Sequence, residues 1–288
     1  MFHKKPNVWF VFENVVQVGW WGQVLFWMTV LTGTRFHARM RGILLSWLGL
    51  MFFFYFWIWA QADGFIQHRE LAFDLDRATH LSFVNPYGGI RVRFHEASTV
   101  QIQVTEQSQN PTFNVEKKRE GKTWQVKATL LTPNSEIGPK TRMDWTLTLP
   151  HSVALDLKTV GDLIEVKGYS LALNCRSVSG DLSLEGTGPT QAETQQGSIF
   201  VSLGELQGNN QLVSQNGRIQ VLIDPEFKGQ IEIRTRQPIA TDFSLKISER
   251  KGRYRVGKVK QGRGKAHLLI RAENGQVELL AGHSPEAD

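Results

Sequence analysis

SVSGDLSLEG (177–186), TQQGSIFVSL (194–203) and SQNGRIQVLI (214–223) write one ten-residue pattern three times. Each opens on Ser or Thr, has Gly at its fourth place and carries aliphatic residues at its sixth and eighth. The last two are separated by one residue, so a β-strand presents both on one face. The glycine group marks a turn before the strand.

Working outward from these runs, the first aliphatic residue after each glycine turn serves as an anchor. The anchors are Ile90, Ile164, Leu182, Ile199, Ile219 and Val277, and two residues later stand Val92, Val166, Leu184, Val201, Val221 and Leu279. Seven residues before the anchors are Phe83, Leu157, Cys175, Ala192, Leu212 and Ile270, all apolar. Five before are Asn85, Thr159, Ser177, Thr194, Ser214 and Ala272, all small or short and polar. The turn glycines are expected at the corners because they accept positive φ. A weaker copy has Ile233, Thr235 and Ala240 in the corresponding places.

From Ile164 to Ile219 the anchors are spaced 18, 17 and 20 residues apart. A strand–turn–strand unit at a short fixed period cannot bury its apolar face alone, but stacked copies bury it against one another. The pattern predicts an all-β, β-solenoid domain over residues 81–282, right-handed and β-helix-like. The competing fold is an antiparallel β-sandwich. Residues 63–80 read as a polar linker and 283–288 as a tail.

The first 62 of the 288 residues differ in kind. They hold seven of the nine Trp and nine of the seventeen Phe. The uncharged core ILLSWLGLMFFFYFWIWA (43–60) is about 27 Å long as a helix, close to the hydrocarbon thickness of a bilayer. Arg35, Arg39 and Arg41 precede it and Asp63 follows, which predicts an extracytoplasmic C-terminal region. A second apolar run, 14–34, makes the region single-pass or two-pass. Ala60-Gln61-Ala62 has the form of a signal peptidase site, so both a retained anchor and a cleaved one stay open.

NPYGGIRVRF (85–94), MDWTLTLPHSVALDLKTVGD (143–162), the three runs quoted first and IRAENGQVELL (270–280) together resemble the DUF4097 family of adhesin-like β-strand repeat proteins. The resemblance covers about two-thirds of the chain. It implies a bacterial envelope protein with a membrane segment and a right-handed β-solenoid-like domain. Gly161 departs from the pattern, standing one residue further from its anchor than the later glycines.

No motif for acid–base, nucleophilic or phosphate chemistry emerges, and no cofactor is expected. None of the eight His forms an HxH or HExxH pair, and the single cysteine, Cys175, occupies an inward template position. Asp162 and Asp181 follow turn glycines in successive copies and are the carboxylates a carbohydrate-active β-helix enzyme would use. Asp is also a common turn residue, because its side chain bonds nearby backbone.

One charged feature rises above the rest. Residues 234–271 carry twelve Lys and Arg against Asp242 and Glu249, a net charge of +10, while the whole chain carries +6. The candidate polyanion-binding residues are Arg250, Lys251, Arg253, Arg255, Lys258, Lys260, Arg263 and Lys265. Outside a membrane their partners would be anionic lipid or envelope polysaccharide rather than nucleic acid. A solvated hairpin that opposes aggregation explains the same charges. The expectation is a membrane-anchored, extracytoplasmic, non-enzymatic adhesion or interaction scaffold of the cell envelope, with an unidentified protein partner. The alternatives are an envelope-stress or signalling accessory and the carbohydrate-active enzyme.

Overall fold

Each template copy folds as two strands joined at its glycine corner. The computed structural model describes Met51 and residues 65–75, 78–108, 113–130, 142–250 and 254–282. The chain separates into two units, 1–63 and 64–288. Apart from Met51, the first lies outside the described residues, and with it the expected membrane helix at 43–60; so does the tail 283–288. Among the described residues, no helix is long and apolar enough to cross a membrane.

The second unit is all-β. Its strands are β1 (Phe65–Asp74), β2 (His80–Asn85), β3 (Ile90–His95), β4 (Thr99–Ser108), β5 (Phe113–Glu120), β6 (Thr123–Leu130), β7 (Arg142–Pro150), β8 (Ala154–Thr159), β9 (Ile164–Tyr169), β10 (Leu173–Ser177) and β11 (Leu182–Gly186). They continue as β12 (Thr190–Thr194), β13 (Ile199–Leu203), β14 (Asn209–Ser214), β15 (Ile219–Ile223), β16 (Gly229–Thr235), β17 (Ile239–Thr241), β18 (Lys246–Arg250), β19 (Tyr254–Gln261), β20 (Ala266–Ala272) and β21 (Val277–Ala281). Sheet one has ten strands in the order β1-β4-β7-β3-β9-β11-β13-β15-β21-β17, and sheet two has eleven, in the order β18-β19-β16-β20-β14-β12-β10-β8-β2-β6-β5.

From β8 to β15 the chain lays strands alternately in sheet two and sheet one, each parallel to the one two before it. The template rows fall into register. Ile90, Ile164, Leu182, Ile199, Ile219 and Val277 are successive Cα partners across sheet one. Phe83, Leu157, Cys175, Ala192, Leu212 and Ile270 are successive partners across sheet two. All six anchors are fully buried. The two sheets meet through these rows: the Phe83 ring on β2 lies 6.3 Å from the Trp145 ring on β7, edge to face. Burying one aliphatic side chain of this size stabilises by about 1.5–3 kcal/mol. A two-residue alternation therefore selects this register, since a slip of one would turn every row to solvent.

The corners hold together differently from the expectation. Gly88, Gly180, Gly197, Gly217 and Gly275 are not in the positive-φ region; the described glycines that are, namely Gly121, Gly168, Gly208 and Gly262, lie elsewhere. The corner residues are glycine because backbones meet there. A Cβ on Gly217 would sit 1.8 Å from the Gly197 carbonyl oxygen, and one on Gly275 1.8 Å from that of Gly217. Gly161 is out of this row: the Gly180 corner rests on the backbone of Asp162 instead.

The polar residue five before the anchor locks the corners of successive copies. Ser214 Oγ accepts the Gly217 N–H at 2.9 Å and donates to the Gly197 carbonyl of the preceding copy at 3.1 Å. Thr194 repeats both bonds, from the Gly197 N–H at 3.1 Å and to the Gly180 carbonyl at 3.3 Å. Ser177 Oγ accepts the Gly180 N–H at 2.8 Å. These side chains stand where backbone groups are buried and must find partners. Ala272 has no hydroxyl for this lock.

Two sequence expectations need correcting, and the structure adds a third feature. Residues 65–74, expected within a linker, form β1, paired antiparallel with β4 over its whole length. The weak copy is anchored by Ile239, not Ala240: Ile239 pairs with Val277, while Ala240 falls opposite the outward Glu278. Finally, the order of copies in space is not their order in sequence. The β20–β21 copy lies between β14–β15 and β16–β17, and β6–β7 lies outside β2–β3. Antiparallel strands finish the ends: β1, β4 and β5 at one, β18 and β19 at the other.

Candidate functional site

Strand β19 organises the basic cluster, because its period-two alternation splits the charges between two faces. Lys258 and Lys260 are exposed, on the same side as Arg234 and Glu232 of the neighbouring β16, with Lys258 opposite Glu232 and Lys260 opposite Gln230. Arg255 lies on the other side, opposite Thr235, and is itself engaged rather than free. Arg263 and Lys265 are exposed on the turn between β19 and β20. Arg250 ends β18, where only its backbone is described, and Lys251 and Arg253 lie outside the described residues.

The described candidates therefore do not converge. They run from Arg255 to the β19–β20 turn, a distance of about 20 Å along β19 at ~3.3 Å per residue. Lys258 is ion-paired: its Nζ lies 3.1 Å from Glu232 Oε2, while Arg234 Nε donates to Glu232 Oε1 at 2.6 Å. Burial pushes the Glu232 carboxyl up, but hydrogen bonds from Arg234 and Lys258 outweigh it and hold the group below the usual carboxylate range. Arg236 is drawn to the hairpin, its guanidinium 5.3 Å from the Tyr254 ring. Among the described candidates, Lys260, Arg263 and Lys265 stay exposed, and exposed Lys228 lies beside the same turn. Lys228 falls outside the charge-dense window, and only the crossing of the turn over the start of β16 reveals it.

The other candidates are placed in structural roles. Asp181 Oδ1 accepts the Ser198 N–H of the next copy at 2.7 Å. Asp162 Oδ1 lies 3.3 Å from Arg142 Nη1, and Asp144, on the same edge, accepts the Gly89 N–H at 2.8 Å. The acids at the corners thus tie copies together, Asp181 and Asp144 to the next one and Asp162 to one beyond it. Cys175 is fully buried, and burial pushes its thiol well above the ordinary range. His95 is held in a turn, with Nδ1 accepting the Ala97 N–H at 3.0 Å and Nε2 3.0 Å from the Thr99 carbonyl oxygen. Among the described residues, no three His, Cys, Asp or Glu side chains gather to hold a metal ion.

On the outward face of sheet one a second charged group does converge. Glu165 receives Arg93 Nη2 at 2.8 Å and lies 3.5 Å from Arg91 Nε and 3.6 Å from Lys167 Nζ. Burial raises its pKa, but Arg93, Lys167 and Arg91 together bring it below the usual value. Further along the same face apolar residues join the outward rows, with Phe200 39% exposed and Leu222 and Leu280 half-buried among Ser202, Gln220 and Glu278.

No family model matches the chain, and no curated protein matches it, so the likeness to DUF4097 rests on the motifs quoted above. Among solved structures, the chain is similar to a protein from Clostridium sporogenes provisionally named a cell adhesion protein. That likeness has 12% identity and a TM-score of 0.47, and covers 76% of this chain and 100% of that one. A protein from Bacteroides fragilis provisionally named an adhesin is similar at 8% identity, with a TM-score of 0.31, over 75% of this chain and 97% of its own. A protein from Parabacteroides distasonis with the same provisional name has 10% identity and a TM-score of 0.27, over 75% of this chain and 98% of that one.

Proposed function

We propose that the chain is a membrane-anchored, extracytoplasmic β-solenoid that serves as a non-enzymatic adhesion or interaction scaffold in the bacterial cell envelope. The reading rests on one observation: six copies of a template stand in register, with every anchor buried and the intervening side chains turned outward. Such a stack presents a ruled surface with rows about 4.8 Å apart, suited to extended contacts. The titratable groups nearest the corners support the same reading, since Asp162 and Asp181 are occupied in joining copies.

The apolar segment 43–60 and its basic flank support anchoring, with the second unit exported. The exposed Lys260, Arg263 and Lys265 favour anionic lipid or envelope polysaccharide as a contact, at about 1 kcal/mol per basic residue near an anionic surface.

Two experiments test this. Protease treatment of intact spheroplasts carrying a C-terminal tag removes the tag if the domain is exported, whereas a protected tag ends the reading. Exchanging residues 1–62 for an unrelated anchor leaves cell-surface binding intact for a scaffold; loss of activity points instead to a signalling accessory. For the basic residues, sedimentation with anionic vesicles at rising salt separates lipid from polymer, the latter assayed on isolated envelope polysaccharide. Binding that is unchanged after neutralising Lys260, Arg263 and Lys265 removes them from the interface.

A further inference from the structure

The β20–β21 copy sits in a place that the chain's own spacing leaves to another. Ile199 to Ile219 is twenty residues, and Ile219 to Ile239 is twenty again. The connections have equal length as well: residues 204–208 lead from β13 to β14, and 224–228 lead from β15 to β16. By spacing, β16–β17 is the next copy after β14–β15, yet in the structure β20–β21 lies between them, parallel to both neighbours in both sheets.

The flanking copies match one another without the insert. Leu212 and Ile233 both pair with Ile270, Ser214 and Thr235 both pair with Ala272, and Ile219 and Ile239 both pair with Val277. The corner lock is weakest at the insert. Thr235 donates to the Gly275 carbonyl at 3.2 Å, but Ala272 offers no hydroxyl to the Gly217 carbonyl on which Gly275 rests.

The insert is tied to what precedes it by a single short turn. Residues 262–265 cross the start of β16 to carry the chain from one side of that strand to the other, about 9.6 Å away at two strand spacings. Gly262 has φ +62°, and a Cβ on Gly264 would meet the Lys228 carbonyl oxygen at 2.0 Å. Four exposed cations stand on or beside this closed turn: Lys228, whose stem lies against Gly262, with Lys260, Arg263 and Lys265. Asp224 and Glu226 are the acids on the adjoining connection. Straightening the turn relieves the like-charge repulsion, and relieves it more as salt is lowered.

We propose that β20–β21 is an exchangeable copy: the slot between β14–β15 and β16–β17 accepts the 266–282 segment of a second chain, giving a closed, domain-swapped dimer hinged at 262–265. Every contact of the insert is preserved in the exchange, and only the turn changes conformation, which is what makes such swaps inexpensive. The partner is a second copy of this chain, because only that segment carries the register of both walls.

The test uses the full chain in two tagged forms. One carries Val213→Cys and the other Arg271→Cys; these residues are partners across β14 and β20 on the outward face. The native Cys175 is fully buried and does not compete. The two forms are co-expressed, oxidised and run without reductant. A disulfide-linked heterodimer is expected, several-fold more abundant at 20 mM than at 500 mM salt (~20 Å against ~4 Å of screening length); Ala272→Ser adds a bond that both the closed and the exchanged form make, so it should slow the exchange and leave the final proportion of heterodimer unchanged. Absence of the heterodimer overturns the proposal. So does a heterodimer that forms as readily with Gln220→Cys, on the other sheet, in place of Val213→Cys. A single chain bearing both Val213→Cys and Arg271→Cys reports the closed form by its intramolecular bond, and shows that the variants fold.

Discussion

Replacing Ser214 by alanine isolates the corner lock. The change removes one oxygen and leaves the strand, its apolar neighbours and the glycine row as they are. Two bonds go: the one accepted from the Gly217 N–H at 2.9 Å and the one donated to the Gly197 carbonyl at 3.1 Å. Each is worth about 1 kcal/mol net, and a buried group left unpaired costs about 1–3 kcal/mol. Ser214 is fully buried, so water does not replace the hydroxyl where it stands. The expected loss is about 2–4 kcal/mol. Urea unfolding of the full chain, followed by far-ultraviolet circular dichroism, reads it as a fall in midpoint of about 1 M for a slope near 3 kcal/mol/M. The slope matters too, since a stack of repeats loses two-state behaviour when one interface weakens. Thr194→Ser is the control: it keeps the hydroxyl and forfeits only a methyl, so it should cost about 1 kcal/mol. A Ser214→Ala loss below 0.5 kcal/mol, or a Thr194→Ser loss as large as the alanine's, would refute the lock as the corner's main fastening.

The converse change, Ala272→Ser, supplies the missing donor toward the Gly217 carbonyl and should stabilise the chain by about 1 kcal/mol in the same titration. The Cys175 thiol, buried and with its pKa raised well above the ordinary range, should react with a maleimide only at the rate of opening, and with full speed once urea unfolds the domain. Glu165 is held below its unfolded pKa, so its contribution is present above pH ~4.5 and lost as pH falls through the folded value; Glu165→Gln should flatten that acid limb of the stability profile while lowering stability at pH 7.

The rows of the core were legible because a period of two leaves a signature in any run of five residues, and six copies multiplied it. The corner glycines were legible as positions but not as mechanism. Positive φ and close backbone approach both select glycine, and only the neighbour's carbonyl at 1.8 Å distinguishes them. Strand β1 was hidden by its outward Ile66, 58% exposed, and by an inward face on which Leu71 and Phe73 are only partly buried, so its alternation resembled a polar spacer. The position of β20–β21 could not be read at all, because the even spacing from Ile219 to Ile239 makes β16–β17 the next copy after β14–β15. For the basic cluster, counting charge along the chain overlooked Glu232, which stands just before the dense window and is paired by two of its members, Arg234 and Lys258.

The strands that finish the stack have a consequence for length. A parallel ladder with bare edges is a template for its own kind and grows without limit, as cross-β fibres do. Here sheet two stops at β5, whose exposed run Glu116-Lys117-Lys118-Arg119-Glu120 faces water, and sheet one stops at the three-residue β17. Just past β17 the Asp242 carboxylate takes up the Ala281 N–H at 3.0 Å, so the ladder of β21 is closed off by a side chain rather than by another strand. The stacked sheets of the second unit are in effect a ladder of fixed extent, finished at both tips, and stripping either tip should turn a discrete domain into a polymer.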